Sequence, residues 1–227
     1  MIMKHLLPFI ILLLGYLLTN CSGQNKLSTH IPSDEIIPVT EKVQSKSLND
    51  STLTDIDGNV YPVVAIGNKL WMAGNLNVSK YNNGKTIVPY AGGGFLQTGV
   101  TGMYVLYEND KANGEKYGKL YNHYAIQEGC ICPEGWHVPS EEDWHELIDT
   151  QYYQKLNLLL GGFMNPQEIS PFSDLDNSGY WWTNSSLGRN TVASYEFHLD
   201  KPTLHKNSMN ERNFLSVRCI KALRYEN

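Results

Sequence analysis

From about Ser51 onward the chain is cut into short apolar runs by turn residues, and one stretch alone carries a strong helical period. That spacing constrains the fold more than any other feature. Short strands joined by tight turns pair antiparallel, whereas alternating βαβ units need a helix between every two strands. Asp57-Gly58 introduces Val60-Tyr61-Pro62-Val63-Val64-Ala65-Ile66, and Gly67-Asn68 separates that run from Lys69-Leu70-Trp71-Met72. The pattern predicts a turn, a strand, a two-residue hairpin and a second strand. Pro62 cannot donate to a ladder, which assigns the first strand to a sheet edge. Residues 103–107 and 119–125 read as extended segments around an Asn113-Gly114 turn, and residues 180–185, 194–199 and 214–221 as later strands.

The helix lies between these groups. Ser140 can cap the free amides at its start, and Asp143 can reach back as the acidic half of a capping box. Trp144, Leu147, Ile148 and Gln151 follow at i, i+3, i+4 and i+7, so the first three are core candidates. Residues 156–160 read as a second helical stretch stopped by Gly161-Gly162. Strands, helix, then strands is the order of an α+β domain with mainly antiparallel strands, long loops and one or two helices. The longest loop, residues 82–102, holds Gly84, Gly92, Gly93, Gly94, Gly99 and Gly102 with few large apolar side chains. Loops of that length often bind ligands.

Residues 1–50 have another texture. After Lys4, residues 6–18 are apolar except for Pro8 and Gly15. The run is shorter than the about 20 residues that span a bilayer and suits a signal-peptide core. Leu18-Thr19-Asn20-Cys21 resembles a bacterial lipobox, in which cleavage before the cysteine leaves Cys21 as the acylated first residue. Residues 22–50, poor in aromatics and carrying scattered Pro, Ser, Thr and single charges, read as a polar tether. The expected organisation is a lipoprotein signal peptide over 1–20, a tether over 21–50 and a folded domain over 51–227. The expected place is the bacterial cell envelope, on the periplasmic or surface face of the outer membrane. The other reading is a plain cleaved signal with Cys21 an incidental thiol.

Lys plus Arg number 18 against 23 for Asp plus Glu, a net charge of -5, so no basic field exists to hold nucleic acid. Catalytic signatures fail one by one. His145-Glu146-Leu147-Ile148-Asp149 starts like a zinc motif, but Asp149 stands where the second His belongs. Gly84-Lys85-Thr86 has Ser79 where a phosphate loop needs glycine, and no Gly-x-Ser-x-Gly elbow occurs. Asp174-Leu175-Asp176-Asn177-Ser178-Gly179 resembles the start of a calcium loop, with Ser185 in place of the bidentate Glu. The metal reading is therefore calcium held by Asp174 and Asp176 in a lectin-like site; otherwise no cofactor is expected. In Trp181-Trp182, strand alternation turns one ring inward and its neighbour outward. An outward Trp182, with Tyr90, Phe95 or Tyr104 near the glycine-rich loop, could stack on a sugar ring.

Six blocks occur in order: Asp57-Gly58-Asn59-Val60-Tyr61, the run from Ile66 through Trp71-Met72-Ala73-Gly74-Asn75-Leu76-Asn77, Gly118-Lys119-Leu120-Tyr121-Asn122, the run Cys132-Pro133-Glu134-Gly135-Trp136-His137-Val138-Pro139-Ser140, Trp181-Trp182-Thr183 and Ser216-Val217-Arg218-Cys219. Together they resemble the Fibrobacter succinogenes major paralogous domain across residues 51–223. The helix start at Pro139-Ser140-Glu141 with the late Arg218-Cys219 pair is more distantly similar to the formylglycine-generating, or sulfatase-modifying, family. These resemblances imply a C-type-lectin-like fold. They carry over no assigned activity.

If Cys21 is acylated, Cys130, Cys132 and Cys219 remain, enough for one disulfide and one leftover thiol. The resemblance puts Cys132 and Cys219 in its motifs and so implies that they are bridged, with Cys130–Cys219 and Cys130–Cys132 as alternatives. Cys130-x-Cys132 lacks the spacing of a redox or zinc pair. The expected function is a non-enzymatic binding or adhesion module for a glycan or envelope-protein partner, held at the membrane by the lipid on Cys21. The alternatives are an enzyme or enzyme accessory related to the formylglycine-generating fold, and a purely structural envelope protein.

Overall fold

The computed structural model describes residues 51–92 and 101–223. The expected signal segment and tether, with Cys21 and Phe95, lie outside the described residues. In chain order come β1 (Thr52–Thr54), β2 (Val60–Ile66), β3 (Lys69–Met72), β4 (Val88–Pro89), β5 (Met103–Val105), α1 (Lys111–Tyr117), β6 (Leu120–Tyr121), α2 (His123–Gln127) and α3 (Glu141–Asp149). Then follow β7 (Gly161–Met164), β8 (Phe172–Leu175), β9 (Ser178–Gly188), β10 (Thr191–His198), β11 (Lys201–Asn210) and β12 (Ile220–Ala222). The sheets run β1-β2-β3-β12, β11-β10-β9-β7-β8 and β4-β5-β6, mostly antiparallel, with three short helices between them. The architecture is α+β.

The hairpin between β2 and β3 closes with Ile66 opposite Lys69, and Gly67 turns it at φ 58, a left-handed conformation that costs glycine nothing in side-chain clash. β2 is an inner strand, not the edge that Pro62 suggested, because β1 pairs along its other side. The proline is tolerated by position. Its carbonyl accepts from Ala73 N, so the missing N–H also points toward the β3 side, past the last ladder pair of Val63 with Met72.

Asn113-Gly114 is not a turn but the middle of α1. Asp110 caps that helix by accepting from Ala112 N, and Asn113 Nδ2 donates to the Tyr107 carbonyl. Gly114 is needed for close approach: a Cβ there would lie 2.6 Å from the Leu106 side chain. At α3 the capping box is complete, with Asp143 N donating to Ser140 Oγ at 3.2 Å and Ser140 N to Asp143 Oδ2 at 2.8 Å. Trp144 and Leu147 are buried and Ile148 packs half-buried beside them.

Residues 156–160 form no second helix; a 3-10 turn ends at Lys155. Long-range side chains take the carbonyls that a helix would use. Arg218, fully buried, donates Nη1 to Met72 O at 3.1 Å and Nη2 to Asn157 O, and Asn75 Nδ2 donates to Leu159 O at 3.2 Å. Burial lowers the guanidinium pKa to about 9, so it stays charged at neutral pH, and it lies 5.6 Å from the Trp181 ring. The stretch 214–221 is likewise mostly bridges rather than strand: Phe214, Leu215 and Ser216 each contact a different element before β12 begins.

Trp181 and Trp182 are both buried, because β9 has a packed layer on each face. Trp181 joins Trp144 and Tyr195 on one side, while Trp182 packs with Tyr121 and His123 on the other and donates Nε1 to Tyr121 O at 2.7 Å. β11 escapes the sequence reading because it is a sheet edge on which Leu204 alone is buried. Lys201 and Pro202 stand at the start of that edge, residue types that disfavour pairing with a further strand.

Cys132 and Cys219 form a disulfide with Cα atoms 5.9 Å apart, closing 87 residues and tying the approach to α3 to the strand before the C-terminus. A loop of that length contributes about 4–5 kcal/mol in the chain-entropy model. Cys130 is also disulfide-bonded, so the expected leftover thiol does not exist; no cysteine is free among the described residues.

Candidate functional site

The motif residues form a structural splice. Asp55 Oδ1 accepts from the backbone amides of Asp57 and Asn59, and its Oδ2 accepts from Asn59 Nδ2 at 2.8 Å and Tyr61 Oη at 2.6 Å. Tyr61 Oη in turn accepts from Asn77 N at 2.9 Å, and Lys119 Nζ donates to the Asn77 carbonyl and side chain. Burial, then the neighbouring Asp55, pushes the Tyr61 phenol far above its ordinary range, and burial lowers the Lys119 ammonium. Asn122 caps α2 while accepting from Met103 N at 2.8 Å and donating to Thr101 O. Asp55 and Asn122 are buried and saturated, which suits a scaffold rather than a reacting group.

The sequence-predicted ligand residues do not gather. Trp182 is in the core, against the expectation of an outward ring. Tyr104 is half-buried, with its ring 6.5 Å from Tyr121 and Lys119 Nζ 5.2 Å above it. Asp174 and Asp176 are exposed at left-handed positions, φ 69 and 62, around the turn from β8 to β9. Asp174 accepts from the Tyr180 hydroxyl at 2.7 Å, and Asp176 accepts from the Tyr117 hydroxyl and pairs with Lys116 at 3.4 Å. The Tyr117 hydrogen bond holds the Asp176 carboxyl below its usual range. Among the described residues no three His, Cys, Asp or Glu side chains converge as metal ligands. Glu141, His145 and Asp149 share the exposed face of α3, where His145 lies 3.6 Å from Asp149 and Glu141 pairs with Lys206.

One constellation was missed by sequence. Ser178 Oγ lies 2.7 Å from His198 Nδ1, and His198 Nε2 lies 3.4 Å from Glu196 Oε1. Ser178 and His198 are a register pair of β9 and β10, and Ser178 is only 4% exposed, which closes its hydroxyl to a substrate carbonyl. The group therefore ties strands together.

The best candidate for binding is a cleft of about 400 Å³ between the end of β4 and the turn from β7 to β8, lined by Tyr90, Gly92, Asn109, Pro166, Glu168, Ile169, Pro171 and Phe172 among others. Tyr90 N donates to Tyr104 O, extending the β4 edge, and its half-buried ring leans on Phe214 at 5.2 Å. Phe172 packs 5.1 Å from Tyr107, and Asn165 N donates to Pro171 O, pinning the turn. Ile169 stands fully exposed at the rim. Glu168, which accepts from Asn165 Nδ2, and Asn109 are the polar side chains in this lining. Of these residues the sequence reading found Tyr90; the Pro166 and Pro171 bracket was the available sign of the opposing wall.

Residues 64–157 match the family model described as the Fibrobacter succinogenes major domain. No curated protein and no solved structure matches the chain, so the expected similarity to the formylglycine-generating family has no match behind it.

Proposed function

Starting from a chain that carries a Fibrobacter succinogenes major domain over residues 64–157, we propose a non-enzymatic binding module of the bacterial cell envelope. The observation that carries the binding role is the cleft at Tyr90, which leaves Ile169 fully exposed beside two prolines and two aromatic rings. An exposed apolar side chain marks an interaction site where it adjoins further apolar side chains, as Ile169 adjoins Pro166, Pro171, Tyr90 and Phe172 in this lining. One carboxylate and one amide give a sugar ring few partners for its hydroxyls, so a protein partner offering an apolar segment fits better than a glycan. A C-type-lectin-like arrangement is compatible with β12 returning to pair β3, which places early and late strands in one sheet. The formylglycine-type enzyme reading loses its chemistry, since it requires uncrosslinked thiols and the described cysteines are bonded.

Retention of envelope proteins on the immobilised full chain tests the role. Ile169→Asp and Tyr90→Ala should each abolish retention of the same partner, and retention unchanged in both would overturn the cleft as the site.

A further inference from the structure

A second cleft, of about 290 Å³, opens where the start of β2 and the segment 73–77 meet the end of α1 and residues 157–159. Its wall chemistry differs from that of the Tyr90 cleft. The polar lining is mainly amide: Asn59, Asn75, Asn77 and Asn157. Asn75 is buried and committed, donating to Tyr117 O, Leu159 O and Ser216 Oγ and accepting from Trp181 Nε1, so it forms a fixed back wall. Asn59 gives Nδ2 to Asp55 and to Asn77 O, which leaves its Oδ1 as an unused acceptor among the described residues. Asn157 is exposed and lends its backbone carbonyl to Arg218, leaving the whole side-chain amide unengaged.

Charge in the lining cancels. Glu115 and Lys116 put one charge of each sign in the lining, each in an exposed pair, with Lys111 at 3.6 Å and with Asp176 at 3.4 Å, so the lining carries no net charge. A phosphate or carboxylate ligand would meet a single exposed cation already shared with a carboxylate and, beside it, the Glu115 carboxylate. Val60 and Pro62, both exposed, add carbon surface beside the amides. An amide donates and accepts from one planar group, which matches neighbouring hydroxyls that each do both. The volume lies at the lower end of the roughly 300–1,000 Å³ usual for small-molecule sites, room for one ring rather than a chain.

We propose that this cleft binds a single neutral carbohydrate residue, with Asn157 and Asn59 as the hydrogen-bonding side chains and Val60 and Pro62 as the apolar floor. The site is independent of the Tyr90 cleft and of the partner assigned there. A ligand this small on an open, polar site binds in the millimolar range.

The test is a nitrogen-15 NMR titration of the full chain with the methyl glycosides of glucose, galactose, mannose and N-acetylglucosamine, run beside glucuronate and inorganic phosphate at matched ionic strength. At least one neutral glycoside should shift the side-chain amide signals of Asn59 and Asn157 saturably. Asn157→Ala and Asn157→Asp keep the backbone carbonyl that Arg218 uses and should weaken binding by about tenfold. Ile169→Asp should leave it unchanged, which separates failure here from failure of the Tyr90 site. The proposal is overturned if no neutral glycoside gives a saturable shift, if glucuronate or phosphate binds more tightly, or if both Asn157 variants bind like the parent.

Discussion

The side chains lining the cleft at Tyr90 are mainly aromatic rings and prolines and those lining the cleft at Asn157 mainly amides, although each lies between a sheet and an irregular turn of the same domain. Different forces shape the two walls. The Tyr90 wall is fixed by ring packing, Tyr90 on Phe214 and Phe172 on Tyr107, and exposes what packing leaves over. The amide wall is fixed by long-range hydrogen bonds from Arg218 and Asn75 to the carbonyls of Asn157 and Leu159, and exposes what those bonds leave unengaged. The way a turn is pinned thus decides which chemistry it can offer a ligand.

Four perturbations sharpen or break this contrast, beginning with the largest. Replacing Cys132 and Cys219 by Ala removes a constraint common to both walls and should cost about 2–5 kcal/mol by urea denaturation, with both clefts weakened together. A loss confined to one cleft would show that the bridge supports one wall alone. Arg218→Ala should cost about 3 kcal/mol, because it empties a buried volume and takes a donor from the carbonyls of Met72 and Asn157. Limited proteolysis should then open the chain within residues 156–160 while Tyr90-dependent partner retention persists. Cleavage no faster than in the parent would break the link between the guanidinium and the amide wall.

Gly114→Ala acts on the other side, pressing a methyl into Leu106 within the segment that leads from Asn109 into α1. It should cost about 1–3 kcal/mol and weaken both partner retention and glycoside binding, since Asn109 lines one cleft and Glu115 and Lys116 line the other; an effect on one alone would show that α1 supports a single wall. The smallest effect is a pH slope. Burial, opposed by the Thr183 carbonyl bond, lowers the His123 pKa below its ordinary 6.5, so the folded chain keeps it neutral while the unfolded chain takes up a proton. The stability from this residue is complete above the unfolded value and is lost as pH falls below it. Urea midpoints at pH 7.5 and 5.5 should differ in the parent and differ less in His123→Gln; equal slopes would remove the assignment.

What the sequence made legible was local. The β2–β3 hairpin and the Ser140–Asp143 capping box depend on neighbours within a few positions, and both stand where the pattern put them. The rest failed where distant atoms decided. Trp182 is buried because α2 and β6 cover the second face of β9, a fact no alternation along β9 contains. Residues 156–160 have a helical composition, yet Arg218, 61 positions away from Asn157, takes the carbonyl that a helix would need. β11 has too few apolar residues to show a period, since an edge strand covers little core. At the Tyr90 cleft, one aromatic was visible within a glycine-rich run, but its partner wall at Ile169 and Phe172 comes from a different sheet edge.

The bridge between Cys132 and Cys219 has a mechanical side. The length a loaded domain can yield is set by the chain free to unravel. Locking 87 residues behind a covalent bond withholds roughly 300 Å of contour length from extension. Under load, the meander of β9, β10 and β11 lies inside the lock and cannot contribute to extension.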